Sequence, residues 1–584
     1  MIKKLFPVIL LTLFTITLTS AQQSSYKSGS EYCSYKKIHN DKQLSLIESI
    51  SPIPGHTFDV LNYKLQLDIF NCFTSPYSHT FTASNIMTFK VDSALNQIKL
   101  DAANNSLTID SVRLAAASFT HTNNKLTINL NQTYNAGDTV TIKIYYRHNN
   151  VTDGAFNVSG GFVFTDCEPE GARHWFPCWD RPSDKAKLDL TARVPLNVKL
   201  GSNGSLMDST VSGGARYYHW VSHDPLATYL MVMSAKVNYN LDIVYWHKIS
   251  NPNDSIPIRF YYNQGENPHA METEIIPMTT YYSQTFCEHP FEKNGFCTLN
   301  NLFAWGGMEN QTLTNFCPNC WSTSLMAHEF AHQWFGDMIT CGTWADIFLN
   351  EGFATFIEAL WTGHEQGYNA YHNEIVGNAN TYLSSNPGWA ISVPDWAVNT
   401  PSTDVLFDYA ITYMKGSCVM AQLRYVLGDS LFFAGMKAYA NNPDLRFHSA
   451  IIPDFKNQME ATTGKELDWF FDEWVYTPNH PHYQNWYSYH NMGHGKWMVK
   501  FTANQTQTNT GFFQMPIEIK FSFDGKSDTI VHVMNTANHQ LFTWIFNARP
   551  VGVPQFDPNN NIVLKEASII QHEDNRMNYA PPLD

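Results

Sequence analysis

Alternation of apolar and polar positions dominates the first half of the chain. Phe58 and Val60 alternate, then Tyr63, Leu65, Leu67 and Ile69 continue on the opposite parity, which predicts a strand with a bulge near Asn62. The two-residue period returns at Val140, Ile142, Ile144 and Tyr146, and at Ala186, Leu188, Leu190, Ala192 and Val194. Asn104-Asn105 and Asn123-Asn124 punctuate these runs as turns. An all-β domain is predicted over 56–263, closing near Ile258 to Tyr262. Helical text follows over 264–478. Ser322, Thr323 and Ser324 offer N-caps for a helix through His328, with Gly336 as its stop. A second helix is predicted from about Asn350 through Trp361, a third from about Tyr413 to Leu427-Gly428, and more between about 430 and 475. After Pro478 alternation resumes: Ile517, Ile519, Phe521 and Phe523, a turn at Asp524-Gly525, then Thr529 to Val533. That hairpin predicts a small β-sandwich over 479–571. Residues 22–55 are polar and patternless and read as a flexible leader, and 572–584 as a tail. There is no internal repeat.

Composition narrows the class. A chain of 584 residues with 43% hydrophobic and 14% aromatic content holds more than one core. Charge is sparse and acidic, 37 Lys+Arg against 52 Asp+Glu, which argues against a nucleic-acid partner. An acidic rim suits cationic amino termini. At the start, Lys3 and Lys4 precede an apolar run from Leu5 to Leu18, and Thr19-Ser20-Ala21 offers a small-residue cleavage site. Residues 1–21 are therefore predicted to be a Sec-type signal peptide directing the protein to the periplasm or the outside of the cell. The rival reading is a membrane anchor through residues 5–21, but the run falls short of the roughly 20 residues that span a bilayer. No stable membrane insertion is expected, and the oligomeric state is left open.

All ten cysteines lie beyond the signal: Cys33, Cys72, Cys167, Cys178, Cys287, Cys297, Cys317, Cys320, Cys341 and Cys418. An even number in an exported chain predicts disulfides, with Cys287–Cys297 and Cys317–Cys320 as local pairs. Cys317-Pro318-Asn319-Cys320 also reads as half a zinc knuckle or a redox CxxC. Without a second CxxC or a thioredoxin-like pattern, a loop staple is preferred.

The chemistry concentrates between His328 and Glu351. In HEFAH the histidines His328 and His332 stand at i and i+4, so on a helix both imidazoles share one face and can ligate one Zn²⁺. Glu329 stands beside the first, in reach of a metal-bound water as general base. Glu351, in LNEGF, is the natural third ligand. Alone, HExxH fits a plain surface helix as well.

Further motifs decide between these. Gly306-Gly307-Met308-Glu309-Asn310 lies upstream, and Tyr413-Met414-Lys415-Gly416 downstream. With HEFAHQWFGD and WADIFLNEGF, these stretches resemble, in order and spacing, the zinc aminopeptidases of the gluzincin clan, which include aminopeptidase N and leukotriene epoxide hydrolase. EPEGARHWFPCWDRP (Glu168 to Pro182) and FFDEWVYTPNHP (Phe470 to Pro481) extend the resemblance from about Phe58 to about Leu564. It implies a multidomain α+β fold: an N-terminal all-β domain, a thermolysin-like, mostly helical catalytic domain and a small β-sandwich. Many members also carry a large helical C-terminal domain, so this chain is expected to be a short form, its site more open or closed by a second subunit.

The resemblance further implies one Zn²⁺ per chain on His328, His332 and Glu351, with peptides as substrates. Tyr413 takes the family's place for the phenol that steadies the developing oxyanion. Glu309 takes that of the carboxylate binding the substrate α-ammonium, with Glu168 as its helper. Gly306 and Gly307 allow close backbone approach to an extended substrate, while Met308 can line the first side-chain pocket or simply pack in the core. Glu358 and Asp337 can orient the ligating histidines or face solvent. His480, His482, His490 and His494 fall in turn-rich text and are read as structural. Two other functions stay on the table: an epoxide hydrolase or bifunctional relative, and a non-catalytic peptide-binding homologue.

Overall fold

A computed structural model of the chain describes residues 28–39, 57–303 and 306–572. The predicted signal peptide, the rest of the leader and nearly all of the tail lie outside the described residues.

The alternating text folds as strands. Phe58–Asp68 sits centrally in an eight-stranded sheet, antiparallel to Thr82–Val91 and parallel to Lys185–Pro195. Its register shifts between Val60 and Asn62, so the parity change in the sequence is a bulge that keeps Val60 and Tyr63 both buried. A three-stranded and a four-stranded sheet complete this domain. The four-stranded sheet includes Phe162–Thr165, and that strand delivers Asp166 and Glu168 toward the helical domain.

Asn240–His247 and Ser255–Tyr262 do not close the N-terminal domain as the alternation suggested. Ser255–Tyr262 pairs in parallel with Asn294–Thr298, within a five-stranded sheet that also holds Thr314–Phe316 and Gly307–Met308. Alternation reports that a strand is half-buried, not which sheet it joins. That sheet carries the GGMEN segment and lies beneath the helices. Two long helices, His269–Thr285 and Tyr368–Ser385, add to those read from the sequence. The first contains Pro277, which obscures its pattern. At the C-terminus a four-stranded and a three-stranded sheet form the expected β-rich unit, and Met515–Phe523 and Lys526–Asn535 make its hairpin.

Two expectations change. Part of the leader is ordered: Gly29–His39 is a helix inserted between the domains, with Cys33, Ser34, Lys36 and Lys37 buried. Cys33, Tyr32 and Ile38 meet the apolar core, but the buried face also carries Ser34, Lys36 and Lys37, so no clean hydrophobic period announces it. Of the suggested cysteine pairs, Cys317 and Cys320 lie close together, their Cα atoms 5.3 Å apart, whereas Cys287 and Cys297 are unpaired and buried. Cys297 Sγ instead donates to Asn315 Oδ1 at 2.7 Å.

Candidate active site

The HEFAH segment forms the helix Thr323–Ala331, with His332 as its C-cap. Ser322 starts it, its hydroxyl accepting from Leu325 N at 3.3 Å. Its far face is fixed by aromatic packing: Phe330 stacks on Tyr282 at 5.8 Å and on His289 at 5.7 Å, and meets Trp334 edge-on at 5.3 Å. Tyr282 also donates to Ala327 O at 3.1 Å. A rigid apolar backing thus presents His328, Glu329 and His332 to the interior.

Glu351 comes from the next helix, Phe348–Gln366. Its Oε2 lies 3.3 Å from His328 Nε2 and 3.3 Å from His332 Nε2. A tetrahedral zinc with bonds of roughly 2.0–2.1 Å needs ligand atoms roughly 3.3–3.4 Å apart. Both distances from Glu351 match that spacing, the three ligand atoms lie within 4.8 Å of one another, the triad is fully buried, and His332 Nε2 has no hydrogen-bond partner. Two imidazoles and one carboxylate are a donor set suited to zinc.

The surrounding groups divide. Glu358, two turns after Glu351, brings Oε2 to 3.5 Å from His328 Nδ1. Asp337 does not orient a histidine: its carboxylate oxygens have no hydrogen-bond partner, and His332 Nδ1 faces Phe335 O at 3.1 Å instead. The tight turn after the helix supplies a backbone acceptor before Asp337 is reached. Glu329 is buried, with neither oxygen hydrogen-bonded. Burial first, then the nearby Glu309 carboxylate, raises its carboxyl to about 7 against the opposing pull of His328.

Tyr413 lies in a π-helical turn, Tyr409–Lys415, begun by Asp408 accepting from Ile411 N at 2.9 Å. That turn reaches the Glu351 helix because Gly352 and Gly416 face each other: a Cβ on Gly416 would stand 2.9 Å from Gly352 Cα. The Tyr413 ring centre is 6.0 Å from that of His328. Burial, then Cys33, holds its phenol well above the usual range, so it keeps its proton.

Gly306 adopts a positive φ of 80°, and a Cβ on Gly307 would fall 2.4 Å from Glu329 Cδ. Met308 is wholly buried in the core. Glu309 and Glu168 converge on one cation, Lys37 Nζ, at 3.2 and 2.5 Å. The same ammonium pairs with Glu351 Oε1. Burial works against its charge, but Cys33, Glu168, Glu309 and Glu351 hold it well above the ordinary lysine value. Sequence reasoning missed Lys37 and Cys33. The available signal was Gly29, Cys33 and Lys37 recurring every four residues, one face of a helix.

Away from this centre, the His480 and His482 rings stand 5.0 Å apart, each 3.7 Å from Glu566. His490 bonds Ser488 at 2.9 Å. No described helix is long and apolar enough to cross a membrane.

Comparison with known proteins places this geometry. Residues 60–230 match the description "Peptidase M1 N-terminal domain" and residues 269–474 the "Peptidase family M1 domain". Aminopeptidase M1 of Arabidopsis thaliana is 26% identical over 336 residues, covering 54% of this chain and 37% of that protein. Aminopeptidase N of Rattus norvegicus is 28% identical over 333 residues, covering 52% and 33%. The chain thus spans little more than a third of the curated relatives it matches. The crystal structure of an M1 zinc metallopeptidase from Deinococcus radiodurans shares the fold, with a TM-score of 0.63 and 22% identity over 72% of this chain and 94% of that one. The two domain matches follow one another in the order of a single architecture and take in most of the residues, and on that ground the chain belongs to peptidase family M1.

Proposed function

We propose that the chain is an exported, zinc-dependent aminopeptidase that hydrolyses the first peptide bond of peptides with a free amino terminus. One observation carries this reading: Glu309 and Glu168 close on a single ammonium group beside Glu351, a member of the metal-binding triad. A carboxylate pair at fixed distance from a reaction centre selects substrates by their charged end.

His328, His332 and Glu351 are the residues that would hold one zinc ion, which when bound supplies Lewis acidity and a lowered pKa for water. The chain's own groups do the rest. Glu309 and Glu168 fix the α-ammonium and so set the scissile bond at the first position. Glu329, with neither oxygen committed to a hydrogen bond, takes a proton at its carboxylate and returns it to the departing nitrogen. Tyr413 keeps its phenolic proton and donates a hydrogen bond to the oxygen that gains charge. Glu358 steadies His328 through Nδ1.

Initial rates on aminoacyl anilides, each offered with a free and with an acetylated amino terminus, test the reading. Hydrolysis of the free forms alone is expected, with Glu309→Gln removing that preference. Equal hydrolysis of both forms would point to an endopeptidase.

A further inference from the structure

We propose that the N-terminal helix, Gly29–His39, is an intramolecular occupant of the catalytic cleft, with Lys37 standing where a substrate's α-ammonium would bind, and that it holds the enzyme latent until it withdraws. What is blocked rests on the aminopeptidase reading; the occupancy does not.

The helix has no reason to form alone. Its sequence, GSEYCSYKKIH, is polar, and at 11 residues it is shorter than the ~12–15 at which isolated helices become marginal. Its stability therefore comes from where it docks. At its start, Gly29 N and Ser30 N donate to Glu358 Oε1 and Oε2 at 2.7 and 3.1 Å, an anion at a helix N-terminus. In its middle, Ser34 Oγ donates to Phe407 O at 3.0 Å. Toward its end, Lys36 pairs with Asp166 at 2.7 Å, and Lys37 fills the three-carboxylate cradle.

The steric fit is as close as the polar one. A Cβ on Gly29 would stand 2.3 Å from Ser324 O and 2.8 Å from His328 Cβ. A Cβ on Gly306 would stand 2.2 Å from Tyr32 O. Both sides of the contact are trimmed to backbone, one by a glycine of the helix and one by a glycine of the GGMEN segment.

The helix also covers the reacting positions. Cys33 Sγ is 3.8 Å from Tyr413 Oη and within 4.8 Å of a His328 ring nitrogen and a Glu329 oxygen. It fills the space between the base and the phenol, where a peptide carbonyl must enter. Lys37 is 1% exposed and the carboxylates it contacts are 0% exposed, so a substrate amine cannot reach the cradle while the helix is in place.

Two measurements on the full chain test this. With zinc supplied, hydrolysis of a free-amino anilide is expected to be slow, and to rise about tenfold or more in Gly29→Val and in Lys37→Ala as the docked population falls. A synthetic peptide of residues 28–39 added to Lys37→Ala should inhibit competitively. Turnover by the unaltered chain as fast as by both variants would overturn the proposal. The second measurement does not depend on turnover. Amine-acylating footprinting read by mass spectrometry should modify Lys37 about tenfold or more slowly than the exposed Lys90, with the protection lost in Gly29→Val. Equal labelling of Lys37 and Lys90 in the unaltered chain would overturn the occupancy. A protected Lys37 together with folded variants silent on every anilide would support the occupancy and defeat the aminopeptidase reading.

Discussion

Two short helices meet at the active site and are held there by opposite means. Thr323–Ala331 turns an aromatic face to Tyr282, His289 and Trp334 and leaves its histidines toward the centre. Gly29–His39 offers only a small apolar surface, from Tyr32, Cys33 and Ile38; carboxylates anchor its two ends, and glycines trim the contact between them. The first helix is part of the fold and can be removed only by unfolding. The second is bound as a ligand is bound, and its docking can change while the rest of the molecule stays intact.

The largest effect should come from Glu329→Gln in a Lys37→Ala background. It should lower kcat by about 10³-fold, with metal content by elemental analysis unchanged, because the triad is untouched. Phe330→Ala should cost about 3–5 kcal/mol in urea unfolding, whereas Cys33→Ala should barely move the global transition. Similar losses for both would erase the distinction between the helices.

A pH effect follows from His289, which is buried against Phe330 and pushed down to about 4, chiefly by burial. Its folded pKa lies below its unfolded value of about 6.5. The contribution is therefore fully present above about pH 6.5 and is lost as pH falls toward 4. The loss is about 3 kcal/mol, and His289→Phe should flatten that part of a stability-versus-pH curve.

Glu358→Gln should weaken the N-terminal helix by about 1–2 kcal/mol by removing the charge at its start. Faster acylation of Lys37 at an unchanged melting temperature would show it. Ser322→Ala, which removes the cap of the other helix, should cost about 1 kcal/mol. That loss should appear in the global transition and not in Lys37 labelling.

The same contrast explains what the sequence made legible. Fixed short spacings carried the motif helix: Ser322 as cap, histidines four apart, Glu351 a helix later. The bulge before Asn62 and the hairpin at Asp524-Gly525 were readable because each half-buried strand states its own parity. The assignment of Ser255–Tyr262 to the catalytic sheet was not readable, since its partner Asn294–Thr298 is a separate run of text. Nor was the role of Asp337 or the partner of His332, which depend on a turn whose backbone oxygen arrives first. The N-terminal helix was hidden most deeply, because charge complementarity with groups distant in sequence has no period. Its four-residue recurrence of Gly29, Cys33 and Lys37 gains meaning only once the carboxylates opposite are in place.

Glu351 turns one oxygen to the two histidines and the other to Lys37. A metal held by this triad would therefore share a carboxylate with the helix, and thermodynamic reciprocity would apply to them as to any two ligands on one receptor. Whatever factor the docked helix imposes on metal affinity, the metal must impose on docking. Metal supply and the opening of the cleft would then become a single equilibrium, and the availability of the ion would help set the fraction of molecules ready to work.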